Sequence, residues 1–436
     1  MCLLRQTLFW PITLSLGKWS LASASSRSPS PRARSESRSH YDPFFTRDLA
    51  VGCSSSHHPV GRILCLTAAA RNPAASANSA GQHAAAYSSY QTTAVAMADS
   101  TTSRAPVITG NSPQGDEYMV NTRDEILHLR TYAPADGEEI KALLLFIPGY
   151  GGHANSSPKV KLGKAMVPLG IANVQLDLAG HGYSEGERAY ATHYSHWVDD
   201  IFQLLEAIAG GGFTSPAAGK FALSKGQLEQ LKSVPIFLSG ESLGGGLSLF
   251  TGLTLYDRQH ALLPRFKGVC LMAPAIQGNP PPAPVVAFLR YVVAPVIPKW
   301  QIPNALESVR NPIQVWKTEE DRAQADRDQW GNPGALGWGH NMKFNMGLNM
   351  MDMVGVVYSR LSDVKFPFLI MHDPGDAIVQ FGPARELMEK AATPKDDPRA
   401  RELKEMDGWL HDLLTNCPDL VIGHLTDWIV YQIARA

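Results

Sequence analysis

Cysteine is scarce in this chain. Five stand among 436 residues, at Cys2, Cys53, Cys65, Cys270 and Cys417, and no two form a C-x-x-C pair. That spacing excludes a disulfide framework and a cysteine-based zinc site. An excess of one charge is also missing: 39 Lys and Arg stand against 40 Asp and Glu, for a formal net charge of -1. Nothing in that balance calls for nucleic acid as a partner. Long apolar runs are absent as well. The two longest, at 8–16 and 284–297, fall well short of the roughly 20 residues that span a bilayer, so no transmembrane helix is expected. What remains is 44% hydrophobic and 18% charged residues, enough for a sizeable core and a small neutral or amphiphilic ligand.

Residues 1–104 differ in kind from the rest. Ser, Ala and Arg dominate, and the first 96 residues hold nine Arg or Lys against the three acids Glu36, Asp42 and Asp48. Such a stretch buries too little apolar surface to offset its ordering entropy, so it is expected to be a disordered leader. An Arg- and Ser-rich, acid-poor leader points to a plastid or mitochondrion, whereas 8–16 followed by "LASA" reads as a secretory signal. The plain alternative is a true start at Met97, in "MADSTTSRAPV", with a cytoplasmic or peripheral-membrane protein as the result.

From 105 to 436 the pattern is α/β. Apolar runs at 142–147, 172–178, 234–239, 268–273 and 366–372 alternate with longer helical segments, which predicts a mostly parallel central sheet covered by helices. Near-continuous apolarity is what strands buried on both faces require. Between "LMAPA" and "FPFLIMH" the rhythm breaks for about 90 residues, too long for a structureless loop, and a helical cap is expected at about 275–360.

The pattern G-x-S-x-G occurs twice, as "GESLG" at 240–244 and "GYSEG" at 182–186. A nucleophilic serine needs a strained turn between a buried strand and a helix, with glycines where side chains would clash. Ser242 has that setting, between "VPIFLS" and the apolar "GGLSLFTGLTLY". Ser184 lacks it, because the polar "AGHG" precedes it and no apolar helix follows; it reads as a turn residue. A helix opening after Ser242 would turn its first N–H groups toward a developing oxyanion, with Leu243 as one donor. The Gly-rich loop "FIPGYGGHAN" after the run 142–147 offers Tyr150 N–H as the second, an ordinary Gly-rich turn being the plain alternative.

Activation of the serine requires a base and an acid to orient it, in the order Ser, acid, His. The run 366–372 leads into "DPGDAIV", so Asp373 and Asp376 both sit where ligands bind such sheets; Asp376, on the turn, is preferred, although either could serve only as a helix cap. Among 14 histidines, His411 follows a short strand and a Gly-containing turn. His424, in "LVIGHLTDWIV", has helical neighbours and reads as a packed or surface histidine.

Taken together, "LDLAGHGYSEGER", "PGYGGH", "GESLGGG", "HDPGD" and "GWLHDL" resemble the monoacylglycerol lipase family of S33-type α/β-hydrolases, in the family's order. Glu241 before the serine is similar to the plant and algal lipases and caffeoylshikimate esterases. The resemblance covers 105–436 and implies the triad Ser242, Asp376, His411 with oxyanion donors Tyr150 and Leu243, no cofactor and no metal. Pro148 stands where the family usually has His, and Asp373 where it has Gly.

The implied reaction is hydrolysis of a lipid ester, a monoacylglycerol or lysophospholipid. Met342, Met346, Met350 and Met353 fall at spacings of four, four and three. On a helix they form one flexible face, either plain packing of cap on core or the lining of an acyl channel. In the channel each buried methylene is worth roughly 0.8 kcal/mol, so activity climbs with chain length. The stretch 284–297 is expected either to touch a membrane surface or to pack inside the cap. An esterase for caffeoyl-type or short-acyl soluble esters, and a ligand-binding module without turnover, are the competing readings. Head group, acyl chain and oligomeric state leave no mark in the sequence.

Overall fold

The computed structural model describes residues 117–278, 281–303 and 311–435. The leader expected over 1–104 lies outside the described residues. Nine strands form one sheet in the order β5-β1-β2-β4-β3-β6-β7-β8-β9. They are β1 Tyr118–Val120, β2 Ile126–Tyr132, β3 Ala142–Ile147, β4 Ile171–Leu176, β5 Gly219–Lys220, β6 Ile236–Glu241, β7 Phe266–Met272, β8 Phe368–His372 and β9 Arg401–Glu405. Pairing is parallel from β4 through β3, β6, β7 and β8 to β9, and antiparallel among β5, β1, β2 and β4. This is the α/β-hydrolase fold, with a mostly parallel central sheet.

The continuous apolar runs follow from a sheet covered on both faces. Leu143, Leu145 and Ile147 of β3 enter one core, while Ala142, Leu144 and Phe146 enter the other. The same alternation continues in β8, where Phe368 and Ile370 face one way, Leu369 and Met371 the other. Helices Ser157–Met166 and Pro418–Ile433 cover the second face through Leu162, Leu425 and Trp428. Helix Ser195–Ala209 lies over the first, burying Trp197, Ile201, Leu204, Leu205 and Ile208 at the spacing of one helical stripe. The edge strand β9, "RELKE", is charged and half exposed, which discourages pairing with another chain.

Helix Leu243–Asp257 behaves differently. Every residue from Leu243 to Leu255 is buried, so it runs through the core and needs small side chains to do so. A Cβ on Gly252 would press into the ring of Phe366, and one on Gly245 would sit 2.9 Å from Pro274 Cβ.

Between β7 and β8 the described residues include the α-helices Ala283–Phe288, Pro312–Val315, Glu319–Arg327 and Phe344–Ser359. This is the stretch in which a cap was expected. Helix Glu319–Arg327 buries no residue, and Thr318 caps it by accepting the Asp321 N–H at 3.0 Å. One detail of the methionine pattern is corrected: Met342 does not lie on the helix. Lys343 is the helix N-cap, with extended backbone, so of the four spaced methionines the helix carries Met346, Met350 and Met353. Among the described residues no helix is long and apolar enough to cross a membrane.

Candidate active site

Strand β6 ends at Glu241, and the next helix begins at Leu243. Ser242 between them has φ 50° and ψ -117°, a backbone that costs a non-glycine residue of order 1–3 kcal/mol. Its neighbours hold it there. Ser242 N–H donates to Met272 O at 2.9 Å, and Ser242 O accepts from Gly246 N–H at 3.1 Å and from Ala275 N–H at 2.9 Å. The flanking glycines are steric requirements. A Cβ on Gly244 would run into the carbonyl oxygens of Ile147 and Pro148, and one on Gly240 into the backbone of Gly244.

His411 and Asp376 meet this serine. The Nε2 atom of His411 lies 3.0 Å from Ser242 Oγ, and its Nδ1 lies 2.7 Å from Asp376 Oδ2. A carboxylate only accepts, so Nδ1 carries the proton and Nε2 is left to accept the serine O–H. Asp376 Oδ1 accepts the N–H groups of Ile378 at 2.7 Å and Val379 at 3.0 Å. Burial works to raise this carboxyl, yet the hydrogen bonds from His372 and His411 hold it well below the ordinary aspartate range.

Asp373 has another task. Its Oδ2 accepts Leu410 N–H at 2.6 Å and its Oδ1 accepts Gly375 N–H at 2.7 Å. It therefore pins the loop that carries His411, at a residue, Leu410, whose φ is +62°. His424 sits on helix Pro418–Ile433 near Lys404, Glu402 and Asp427. Ser184 is buried: its Oγ donates to Asp177 O at 2.6 Å and accepts His128 N–H at 2.9 Å. Both of its hydrogen-bonding roles are used by the backbone.

Leu243 is the first residue of its helix, where backbone N–H groups have no partner within the helix. The loop after β3 approaches the serine closely, since a Cβ on Gly149 would lie 3.3 Å from Ser242 Cβ. Gly149 N–H donates to Glu241 Oε1 at 3.3 Å, and the same oxygen meets Lys159 Nζ at 2.6 Å. Burial would lower the Lys159 ammonium, but the Glu241 carboxylate, with Asp412 and Asp328 behind it, more than reverses this. Tyr150 O–H donates to Ala189 O at 2.7 Å.

Four groups at this site went unmarked in the sequence. His372, fully buried, places Nε2 3.1 Å from Asp376 Oδ2. Lys159 neutralises Glu241, while Asp328 and Trp338 from the insertion reach the loop of Tyr150. The methionines expected to line a channel join the main core: Met342, Met346 and Met353 are buried in it and Met350 packs half-buried against it. The Met353 methyl would lie 3.0 Å from a Cβ on Gly246, in the first turn of the helix after Ser242.

A serine on a strained elbow at the end of a central parallel strand, with an imidazole and a carboxylate in line behind it, defines a serine hydrolase of the α/β-hydrolase class. The chain belongs to the serine aminopeptidase S33 (Hydrolase_4) family, whose model matches residues 138–418. It is similar to the monoglyceride lipase of Rattus norvegicus, 26% identical over 334 residues that make up 75% of this chain and 94% of that one. The Homo sapiens monoglyceride lipase is 25% identical over 323 residues, 73% of this chain and 91% of its own. Among solved structures, a soluble variant of monoglyceride lipase from Saccharomyces cerevisiae superposes with a TM-score of 0.53 at 17% identity, covering 71% of this chain and 92% of that one. The monoacylglycerol lipase of Paleococcus ferrophilus gives 0.52 at 18%, covering 70% and 99%. The protein is a carboxylic ester hydrolase, and the relatives place it with the lipases.

Proposed function

We propose that this hydrolase cleaves long-chain monoacylglycerols or lysophospholipids through an acyl-enzyme on Ser242. His411 Nε2 takes the Ser242 proton as Oγ attacks the acyl carbonyl, and Asp376 stabilises the imidazolium. Collapse of the tetrahedral intermediate breaks the ester C–O bond, and His411 returns the proton to the departing alcohol. Water, deprotonated by the same imidazole, then releases the fatty acid. The N–H groups of Tyr150 and Leu243 face the developing oxyanion, where one donor is typically worth about 10²–10³ in turnover. The observation that carries this reading is the hydrogen-bonded row from Ser242 through His411 to Asp376, at 3.0 and 2.7 Å.

One feature supports a lipid substrate. The insertion exposes a run of large apolar groups: Val285, Phe288, Tyr291, Val292, Val296 and Trp300. Tyr291 is 75% and Val296 77% exposed, a display suited to peripheral contact with a membrane surface. The test is a chain-length series of monoacylglycerols presented in vesicles. kcat/KM should climb from four to sixteen carbons, and replacing Tyr291 and Val296 by Ser should weaken vesicle binding several-fold while leaving a soluble ester unaffected. Much faster cleavage of acetyl or phenolic esters than of any long chain would sink the lipid reading.

A further inference from the structure

We propose that the insertion between β7 and β8 sets the oxyanion loop, with Asp328 and Trp338 acting as positioning residues for hydrolysis. This rests on reading Tyr150 N–H as an oxyanion donor. Two contacts from the insertion reach the loop at and just after that residue. In the first, Trp338 lies against Gly151, where a Cβ would be 2.7 Å from Trp338 Cγ, and the Tyr150 ring meets the indole edge-on at 4.5 Å. Gly151 has φ +79°, so glycine is required there both for its backbone and for the indole above it.

The second contact is at His153. Its Nδ1 accepts Asn155 N–H at 3.1 Å, which leaves the ring proton on Nε2 to donate to Asp328 Oδ2 at 2.8 Å. The carboxylate has no freedom to drift. Asp328 Oδ1 accepts Leu336 N–H at 2.9 Å, and Asp328 O accepts Gly337 N–H, also at 2.9 Å, next to Trp338. Asp328 and Trp338 thus form one rigid turn that grips the loop at two points. Below, Glu241 holds Gly149, and at the far end of the Tyr150 side chain Ala189 O receives the phenol. If the turn lifts, the loop that carries Tyr150 N–H loses both of these holds. Turnover should therefore depend on a seated insertion even for an ester too small to touch it.

The test uses the full chain with 4-nitrophenyl acetate and a trifluoromethyl ketone, whose adduct with Ser242 carries the same oxyanion. Trp338→Ala and Asp328→Leu should each lower kcat on the acetate at least tenfold, and up to about a hundredfold for a donor displaced by an ångström, with KM within about twofold. The ketone's inhibition constant should rise by the factor by which kcat falls. Asp328→Asn keeps an oxygen for His153 and should recover to within about threefold; Trp338→Phe serves in the same way should Trp338→Ala fail to fold. The proposal is overturned if kcat on the acetate stays unchanged while only KM for long chains moves, or if kcat falls without weaker ketone binding. Ser242→Ala separates the two levels: full activity in that variant would refute the nucleophile itself, whereas an inactive Ser242→Ala beside unimpaired Asp328→Leu and Trp338→Ala refutes only the positioning role.

Discussion

The pentapeptides at 240–244 and 182–186 share one pattern and have different surroundings. At the first, Ser242 is forced to a positive φ, and its hydroxyl lies within reach of an imidazole. At the second, Ser184 is buried, and its hydroxyl ties Asp177 O to His128 N–H. The glycines differ as well. Gly244 is needed because a β6-to-helix turn passes the carbonyls of Ile147 and Pro148, whereas Gly182 has φ +52° and leaves room for the Asp177 carboxylate. One motif presents a side chain; the other ties its loop to strand β2. The lesson is that G-x-S-x-G describes tight backbone turns, and only the strand before and the helix after make the serine reactive.

The sharpest way to break this comparison is to remove each hydroxyl. Ser242→Ala should lower kcat by roughly 10⁴-fold or more, whereas Ser184→Ala should leave turnover within about threefold; ester assays on both variants decide. Asp376→Asn should follow at about 10⁴-fold, as expected when the base takes the wrong tautomer. Asp373→Asn, which keeps one acceptor for the loop, should cost only about tenfold, through the position of His411.

Glycine replacements come next. Gly244→Ala should reduce kcat at least a hundredfold by shifting the elbow against Pro148. Gly182→Ala should instead lower the melting temperature, with the folded fraction still active. The loss in Ser184→Ala is likewise one of stability, about 1–3 kcal/mol for two buried hydrogen bonds, read from denaturant melts.

The smallest effect is in pH. Asp376 is held below its ordinary value, so its stabilising contribution is complete above about pH 4 and is lost as pH falls through the depressed native value. Stability curves of wild type and Asp376→Asn should run parallel between pH 5 and 8 and converge only in acid.

Much of this site was legible because its pieces are local. β3, β6, β7 and β8 announce themselves as unbroken apolar runs, since each is buried on both faces. Ser242 and Asp376 stand just beyond such strands, whereas His411 follows the charged edge strand β9 and a Gly-containing turn. β1 and β5 stayed hidden at three and two residues, too short for any periodicity to show. In β2, "ILHLRTY", His128 is turned inward to Asp177, which breaks the apolar run. The methionine spacing suited a helix, yet periodicity carries no signal for the helix start, and Lys343 closes it one residue past Met342. Partners that meet through the fold leave no local trace: His153 and Asp328 are separated by 175 positions. The hydrogen bond from His372 to Asp376 spans four positions, but only the strand end brings the ring onto the carboxylate.

The backbone at Ser242 stays bent because Met272 and Ala275, on the neighbouring segment, hold it bent. Warming that frays the end of β7 would let the elbow spring back to an ordinary turn while the cores on either side of the sheet remain intact. Such an enzyme should fall silent at a temperature where its circular dichroism is still native, and cooling should restore it. Activity and circular dichroism followed on one temperature ramp should then part, with activity lost first.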